Sequence, residues 1–414
     1  MGHLDGTVET TQQLGVVIPV VKGPYQSNGA SPWYAQLSVG TPGQALKFSL
    51  DTGSNFNWVT SSLCRSKGCA HYGRGRFDYR RSDSFSKIYW DSQSEPHWKS
   101  LRVDFGPWGD MWVKAGHDAL SLQDADSAVF CDIYLSEYYT GAQFAQLDWD
   151  GGIGVPSYSY QPLTEAATFS GVRGVHFSDP DQQPQFHFME TLINCGLVSR
   201  DAPFVAFESD QASKRGQITL GKLDWRYSQS REYLFLPWQR YRIADLYYIW
   251  TSKVAQVSIG EHLLFAQQPD KNDCWLSLDS GSSEFKGDQE IMSQAWQYAL
   301  QEGSELVIEL PDDCHSRIRV PADIYNVTIE AGPNQGQTQP QFNPKLPGLD
   351  DLVLVGSVIM DHLYTVYEYR SVNSGNGDKL EPVGIWLFNK PHGPKLIDTK
   401  QTKTAAIFER GASL

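Results

Sequence analysis

The sequence predicts a mainly β protein folded as two lobes. Glycine, aromatic and β-branched residues are plentiful while long Ala/Leu/Glu/Lys tracts are missing, which favours many short strands over a helical bundle. At 414 residues the chain exceeds what one hydrophobic core usually serves. A strand running into an Asp-Ser/Thr-Gly turn also occurs twice, once in each half. Residues 15–225 are taken as the N-terminal lobe and 226–390 as the C-terminal lobe, with a tail over 391–414 whose order is left open. The boundary falls in the polar, aromatic and aperiodic stretch 224–232.

The apolar stretch 15–21 reads as a strand, too short to cross a membrane and preceded by no basic residue. Met1-Gly2-His3 resembles an expression start, so nothing about a leader or pro-segment follows from it. Residues 33–42 alternate apolar and polar side chains before a Gly-Thr-Pro turn, and 45–50 alternate again and run straight into Asp51. Helical spacing over 185–198 predicts a short amphipathic helix ending near Gly196, and strand character resumes at 216–221. In the second half, 254–260 and 274–278 read as strands, the latter entering Asp279. A helix follows over 291–301, with further strands at 317–320 and 352–355.

Asp and Glu together number 48 against 34 Lys and Arg, a net charge of −14 with no long basic run, which argues against a nucleic-acid partner. The six cysteines show neither paired CxxC clusters nor interleaved histidines, so no structural metal or other cofactor is expected. Cys64 and Cys69, which enclose four residues, admit either a small disulfide loop or two free thiols in a reducing compartment. Asn326-Val327-Thr328 fits an N-glycosylation acceptor.

The chemistry is concentrated in two segments. Phe48-Ser49-Leu50-Asp51-Thr52-Gly53-Ser54 and Trp275-Leu276-Ser277-Leu278-Asp279-Ser280-Gly281-Ser282 each carry an apolar strand, an Asp-Ser/Thr-Gly turn and a following Ser. Average usage gives roughly 0.2 Asp-Ser/Thr-Gly matches in a chain of this length, so the weight lies in the shared context and in one copy per half. Two carboxylates held close cannot comfortably ionise together, so they titrate as a unit sharing a proton, one acting as base while the other acts as acid. Gly53 and Gly281 let backbone approach, and Thr52, Ser54, Ser280 and Ser282 are placed to hydrogen-bond and orient the carboxylates.

On these motifs the chain resembles the pepsin family of aspartic peptidases over about residues 33–386. Residues 34–42 resemble the family's opening strand, and Asp51-Thr52-Gly53-Ser54-Asn55-Phe56-Asn57-Trp58-Val59 its first active-site loop, including Trp58. Trp149-Asp150-Gly151-Gly152-Ile153-Gly154 is similar to the segment bracing the first Asp. Residues 194–199 are similar to the end of the family's helix, and 364–367 with 383–385 to its closing strands. The resemblance implies the bilobal pepsin-like acid-protease fold, with pseudo-twofold lobes around a cleft. It also implies a Cys64–Cys69 disulfide, an extended peptide substrate, a monomer, and a secreted or vacuolar location; Cys131, Cys195, Cys274 and Cys314 remain unassigned.

Four positions depart from the family pattern. Phe105-Gly106, in Val103-Asp104-Phe105-Gly106, best matches the flap hairpin that usually carries Tyr-Gly, so the phenol hydroxyl that bonds toward the Trp58 indole is missing. Losing about 1 kcal/mol of hydrogen bonding there is expected to loosen the closed flap. Gly152 replaces an aliphatic pocket wall and is expected to widen a substrate pocket; Glu284 replaces an apolar residue and is expected to add negative charge near the cleft; Gly356-Ser357 replaces Gly-Asp.

The leading expectation is an aspartic endopeptidase most active in acid, in which one carboxylate activates water and the other polarises the scissile carbonyl, as is established for aspartic proteases. A repurposed enzyme of the same fold acting on a dedicated or non-peptide substrate is the alternative that Phe105, Gly152 and Glu284 raise. A non-catalytic binding protein is disfavoured because both Asp residues are kept. A serine hydrolase is disfavoured by the absence of a GxSxG elbow.

Overall fold

A computed structural model describes residues 14–89, 98, 100–104, 108–122, 128–158, 187–243, 246–267, 273–312, 315–345, 349–373, 378–399 and 401–411. The protein has the mainly β, bilobal pepsin-like fold. Apolar side chains recur at every second position in the first strands, so one face of each is buried. Leu37 and Val39 of Trp33–Val39 and Leu46 and Phe48 of Gln44–Asp51 all enter the same core.

A 14-stranded sheet runs through the molecule. Its middle pairs Val16–Lys22 with both Trp33–Val39 and Arg215–Leu220. Its junction pairs Phe204–Asp210 of the first half with Leu363–Asn373 of the second, Phe204 opposite Glu368. Tyr233–Pro237 closes that end against Asp378–Asn389. The sheet therefore crosses the position at which the sequence changes lobe and ties the halves by main-chain bonds.

Each half then builds the same unit around its Asp strand. Gln44–Asp51 runs parallel to Gly151–Gly154, which pairs antiparallel with Trp58–Thr60. Cys274–Leu278 runs parallel to Leu352–Val355, which pairs antiparallel with Phe285–Gly287. The first brace ends on Gly154 and the second is followed directly by Gly356, each glycine pressed against the loop after the Asp. A Cβ on Gly154 would lie 2.8 Å from Ser54 O, and one on Gly356 would lie 2.2 Å from Ser282 O, so only glycine fits at either place.

Most predicted elements fall where expected, among them the strands Cys274–Leu278, Arg317–Val320 and Leu352–Val355. The helix expected over 291–301 spans Gln289–Glu302, capped by the Asp288 carboxylate, which accepts from Glu290 N and Ile291 N, and closed by Gly303 at φ 58°. The helix expected over 185–198 is shorter, Phe188–Asn194; residues 185 and 186 lie outside the described residues. The strand expected over 254–260 divides at Ala255. Thr251–Val254 pairs with the Asp279 strand, whereas Gln256–Ile259 joins a 5-stranded sheet, so the apolar pattern continues while the chain changes partners.

The tail left open by the sequence folds back. Ile397–Asp398 adds to Arg317–Val320, and the turn of helix Ala406–Gly411 buries Ile407 and Phe408 against Phe388 and Trp225. Phe408→Ala is expected to cost about 3 kcal/mol through the cavity it leaves. A lowered midpoint in chemical denaturation would show this, whereas an unchanged midpoint would mean that the tail packs without stabilising the protein.

Candidate active site

Asp51 and Asp279 each arrive at the end of a buried strand, 7% and 8% exposed. The geometry at the two positions is mirrored bond for bond. Gly53 N donates to Asp51 Oδ1 at 2.8 Å and Ser54 Oγ to Asp51 Oδ2 at 2.6 Å. Gly281 N donates to Asp279 Oδ1 at 2.9 Å and Ser282 Oγ to Asp279 Oδ2 at 2.5 Å. The main chain repeats this, Ser54 N donating to Asp51 O and Ser282 N to Asp279 O.

The two loops also lock into each other. Thr52 N donates to Ser280 Oγ at 3.0 Å and Ser280 N to Thr52 Oγ1 at 2.9 Å. The same hydroxyls donate onward, Thr52 Oγ1 to Leu278 O at 3.1 Å and Ser280 Oγ to Leu50 O at 2.6 Å. Thr52 and Ser280 thus join loop to loop, while Ser54 and Ser282 hold the carboxylates, a division of labour the sequence left undivided.

This lock draws each glycine against the opposite acid. A Cβ on Gly53 would stand 2.6 Å from Asp279 Oδ1, and one on Gly281 would stand 2.3 Å from Asp51 Oδ1. Burial, and then the adjacent Asp279 charge and hydrogen bond, push Asp51 well above its ordinary value of 3.8. Asp51 therefore keeps a proton at pH values where an exposed aspartate has lost it.

The carboxylates open onto a cleft walled by Phe56, Trp108 and Trp149 on one side and by Leu246, Tyr248, Ile249, Leu349, Leu352 and Leu354 on the other. A second hollow, bordered by Trp33, Leu50, Phe207 and Met360, contains neither acid. Asp150 stiffens the floor of the first half. Its Oδ1 lies 2.7 Å from His71 Nε2, and the carboxylate accepts from Gly75 N and Lys47 N, anchoring the start of the brace strand.

The remaining expected site residues are distributed unevenly. Trp58 is fully buried among Tyr139, Phe144 and Trp149. Gly152 does not border the cleft: the space of its missing side chain is taken by Trp58, whose Nε1 would lie 2.7 Å from an added Cβ. Glu284 is buried away from the cleft lining, where its carboxylate accepts from Ser27 Oγ and Asn343 Nδ2. Phe105 and Gly106 lie outside the described residues, although the arms of their hairpin, Leu101–Asp104 and Asp110–Ser121, pair in register with Asp104 opposite Asp110.

Cys64 and Cys69 form a disulfide with Cα atoms 5.8 Å apart. Cys131, Cys195 and Cys274 are free, and Cys314 lies outside the described residues. Asn326 begins the strand Asn326–Thr328 and donates through Nδ2 to Ala322 O. No group of metal-ligating side chains occurs among the described residues.

Several cleft residues have no counterpart among the expected site residues: Leu246, Tyr248, Ile249 and Leu349 of the aliphatic wall, and Trp108 and Lys286. Trp108 follows a Gly-Pro pair in the hairpin, and its ring meets Phe144 at 5.7 Å. Lys286 lies seven positions after Asp279, where Trp58 follows Asp51, so setting the two loops side by side exposes a lysine facing a tryptophan.

Comparison with known proteins agrees with this geometry. The family model for eukaryotic aspartyl proteases matches residues 32–91 and 152–377, leaving out the stretch that carries the hairpin. Gastricsin of Cavia porcellus is 27% identical over 192 residues, 46% of this chain and 40% of its own. Chymosin of Ovis aries is 21% identical over 298 residues, 72% of this chain and 66% of its own, and plasmepsin VI of Plasmodium berghei is 23% identical over 273 residues, 63% and 52%. The chain thus spans less than two thirds of the length of these relatives. With a mirrored pair of Asp-Ser/Thr-Gly loops locked hydroxyl to hydroxyl, and the family model matching both halves, the chain belongs to the eukaryotic aspartyl protease family.

Proposed function

We propose that this protein is an aspartic endopeptidase that hydrolyses extended peptides in acid. The observation that carries the reading is the mirrored approach of Asp51 and Asp279, each with the same two hydrogen-bond donors, with burial and the facing carboxylate raising the pKa of Asp51. The ionised carboxylate takes a proton from a water as its oxygen attacks the scissile carbonyl carbon, and the protonated carboxyl donates to the carbonyl oxygen. A tetrahedral diol results, and its collapse breaks the C–N bond as the amide nitrogen receives a proton. The residues needed for this come from one chain, which supports a monomer, with residues 15–225 and 226–390 as the lobes flanking the cleft.

The aromatic wall at Phe56, Trp108 and Trp149 and the aliphatic wall at Leu246, Leu349 and Leu354 favour large apolar side chains on both sides of the scissile bond. The case for a non-peptide substrate weakens accordingly, since neither Gly152 nor Glu284 lines that cleft. A secretory-pathway location is supported by the Cys64–Cys69 disulfide, and the Asn326 sequon is compatible with it. No helix among the described residues is long and apolar enough to cross a membrane.

Asp51→Asn and Asp279→Asn are each expected to lower kcat/KM on an unfolded protein by about a thousandfold, read by mass spectrometry of the digest between about pH 3 and pH 6. Cleavage surviving either change would contradict the proposal.

The proton held by Asp51 also makes stability depend on pH. Because the folded state retains a proton that the unfolded chain has released, stability falls as pH rises from the ordinary aspartate value of 3.8 through the raised one. Asp51→Asn is therefore expected to raise the thermal midpoint relative to wild type at pH 7 and to change it little at pH 3. An equal effect at both pH values would show that Asp51 holds no extra proton.

A further inference from the structure

The two loops match in every hydrogen bond to their carboxylates, yet one contact breaks the symmetry. Lys286 is 6% exposed, and its Nζ donates to Gly29 O at 2.6 Å and to Ser282 Oγ at 2.7 Å. An ammonium only donates, so the Ser282 oxygen is the acceptor in that bond. Its single proton is then free to go to Asp279 Oδ2, 2.5 Å away. The order Lys286 to Ser282 to Asp279 is fixed by proton count alone, and it requires Oδ2 of Asp279 to accept. Ser54 makes the equivalent bond to Asp51, but among the described residues no lysine or arginine bonds to Ser54, and the position matching Lys286 is Trp58.

We infer that Lys286 is a positioning residue that selects Asp279 as the carboxylate left ionised and Asp51 as the one carrying the shared proton. The two links keep Nζ within about 5 Å of Asp279 Oδ2, inside the range over which an opposite charge favours ionisation. The ammonium acts here largely shielded from water, where its field is least screened.

The other ionisable groups around the two loops supply no competing cation. Asp51 faces Asp279 directly. Glu284 is held by Ser27 and Asn343, Tyr25 bonds to Gln341, and the Tyr367 hydroxyl donates to Leu278 O. Asp361 is taken up by Lys22 and Trp33, and Asp288 by the helix it caps. Among the described residues, Lys286 is the one cationic side chain bonded to the loop 279–283.

The inference rests on the pair being catalytic only where activity is the readout, so the test reads the carboxyls directly as well. Asp-carboxyl carbon-13 resonances are assigned with Asp51→Asn and Asp279→Asn, then titrated in wild type, Lys286→Met, Lys286→Gln and Lys286→Arg, alongside kcat/KM against pH on a peptide with apolar residues flanking one bond. Removing the cation makes the first ionisation of the pair harder. The lower apparent pKa, and with it the acid limb of the profile, is therefore expected to rise by about one unit in the Met and Gln variants and to stay near wild type in Arg. Should Lys286→Met fail to fold, Lys286→Gln carries the test, since it keeps a donor toward Ser282 and Gly29 without the charge. An unmoved lower pKa in a folded Met or Gln variant overturns the inference. A shift in the resonances without any hydrolysis would uphold Lys286 and sink the peptidase reading.

Discussion

The exchange of hydrogen bonds between Thr52 and Ser280 is the contact on which the rest of the site depends. Each residue offers a backbone N–H and a hydroxyl, each accepts the other's N–H, and each hydroxyl's proton goes to the carbonyl before the opposite Asp. Thr52 is fully buried and Ser280 half-buried, so an unpaired donor or acceptor here is costly, and the arrangement needs both loops together. It brings two acids into a spacing that their charges alone would resist, and burial together with the Asp279 charge raises the pKa of Asp51. Glycine at 53 and 281 follows as a steric consequence, because any side chain there would enter the opposite carboxylate.

The remaining architecture carries this contact. Parallel brace strands ending at Gly154 and Val355 run beside each Asp strand to its end. The continuous sheet joining Phe204–Asp210 to Leu363–Asn373 prevents the halves from separating, and Trp250 adds a bond across the floor by donating to Val155 O. Hydrophobic burial stabilises each half on its own, whereas the polar lock specifies how the halves meet. A site made of two mirrored loops starts symmetric, and a hydrolysis that needs one acid and one base needs that symmetry broken. In the unbound protein Lys286 breaks it.

Much of this was legible in the sequence because its signals are local. Alternation over 45–50, an Asp-Thr-Gly-Ser turn and a second copy after 274–278 place both acids at strand ends, and the resemblance supplies the pairing of the halves. What stayed hidden depends on spatial neighbours. Gly152 reads as an open pocket until the indole of Trp58 is found in the space, and Glu284 reads as a cleft charge until Ser27 and Asn343 are seen to hold it elsewhere. The break at Ala255 leaves no mark in an apolar pattern shared by two sheets. The tail over 391–414 offered too few apolar residues to predict its docking, which uses a groove formed by Trp225 and Phe388. Lys286 was readable in principle, by aligning the two loops residue for residue.

The site as proposed depends on the locked loops holding two carboxylates with a single proton between them. Neutron diffraction from deuterium-exchanged crystals grown near pH 4.5 measures it most directly. One deuteron is expected on the pair, on Asp51, with Asp279 Oδ2 accepting from Ser282. Two deuterons, or none, would contradict it.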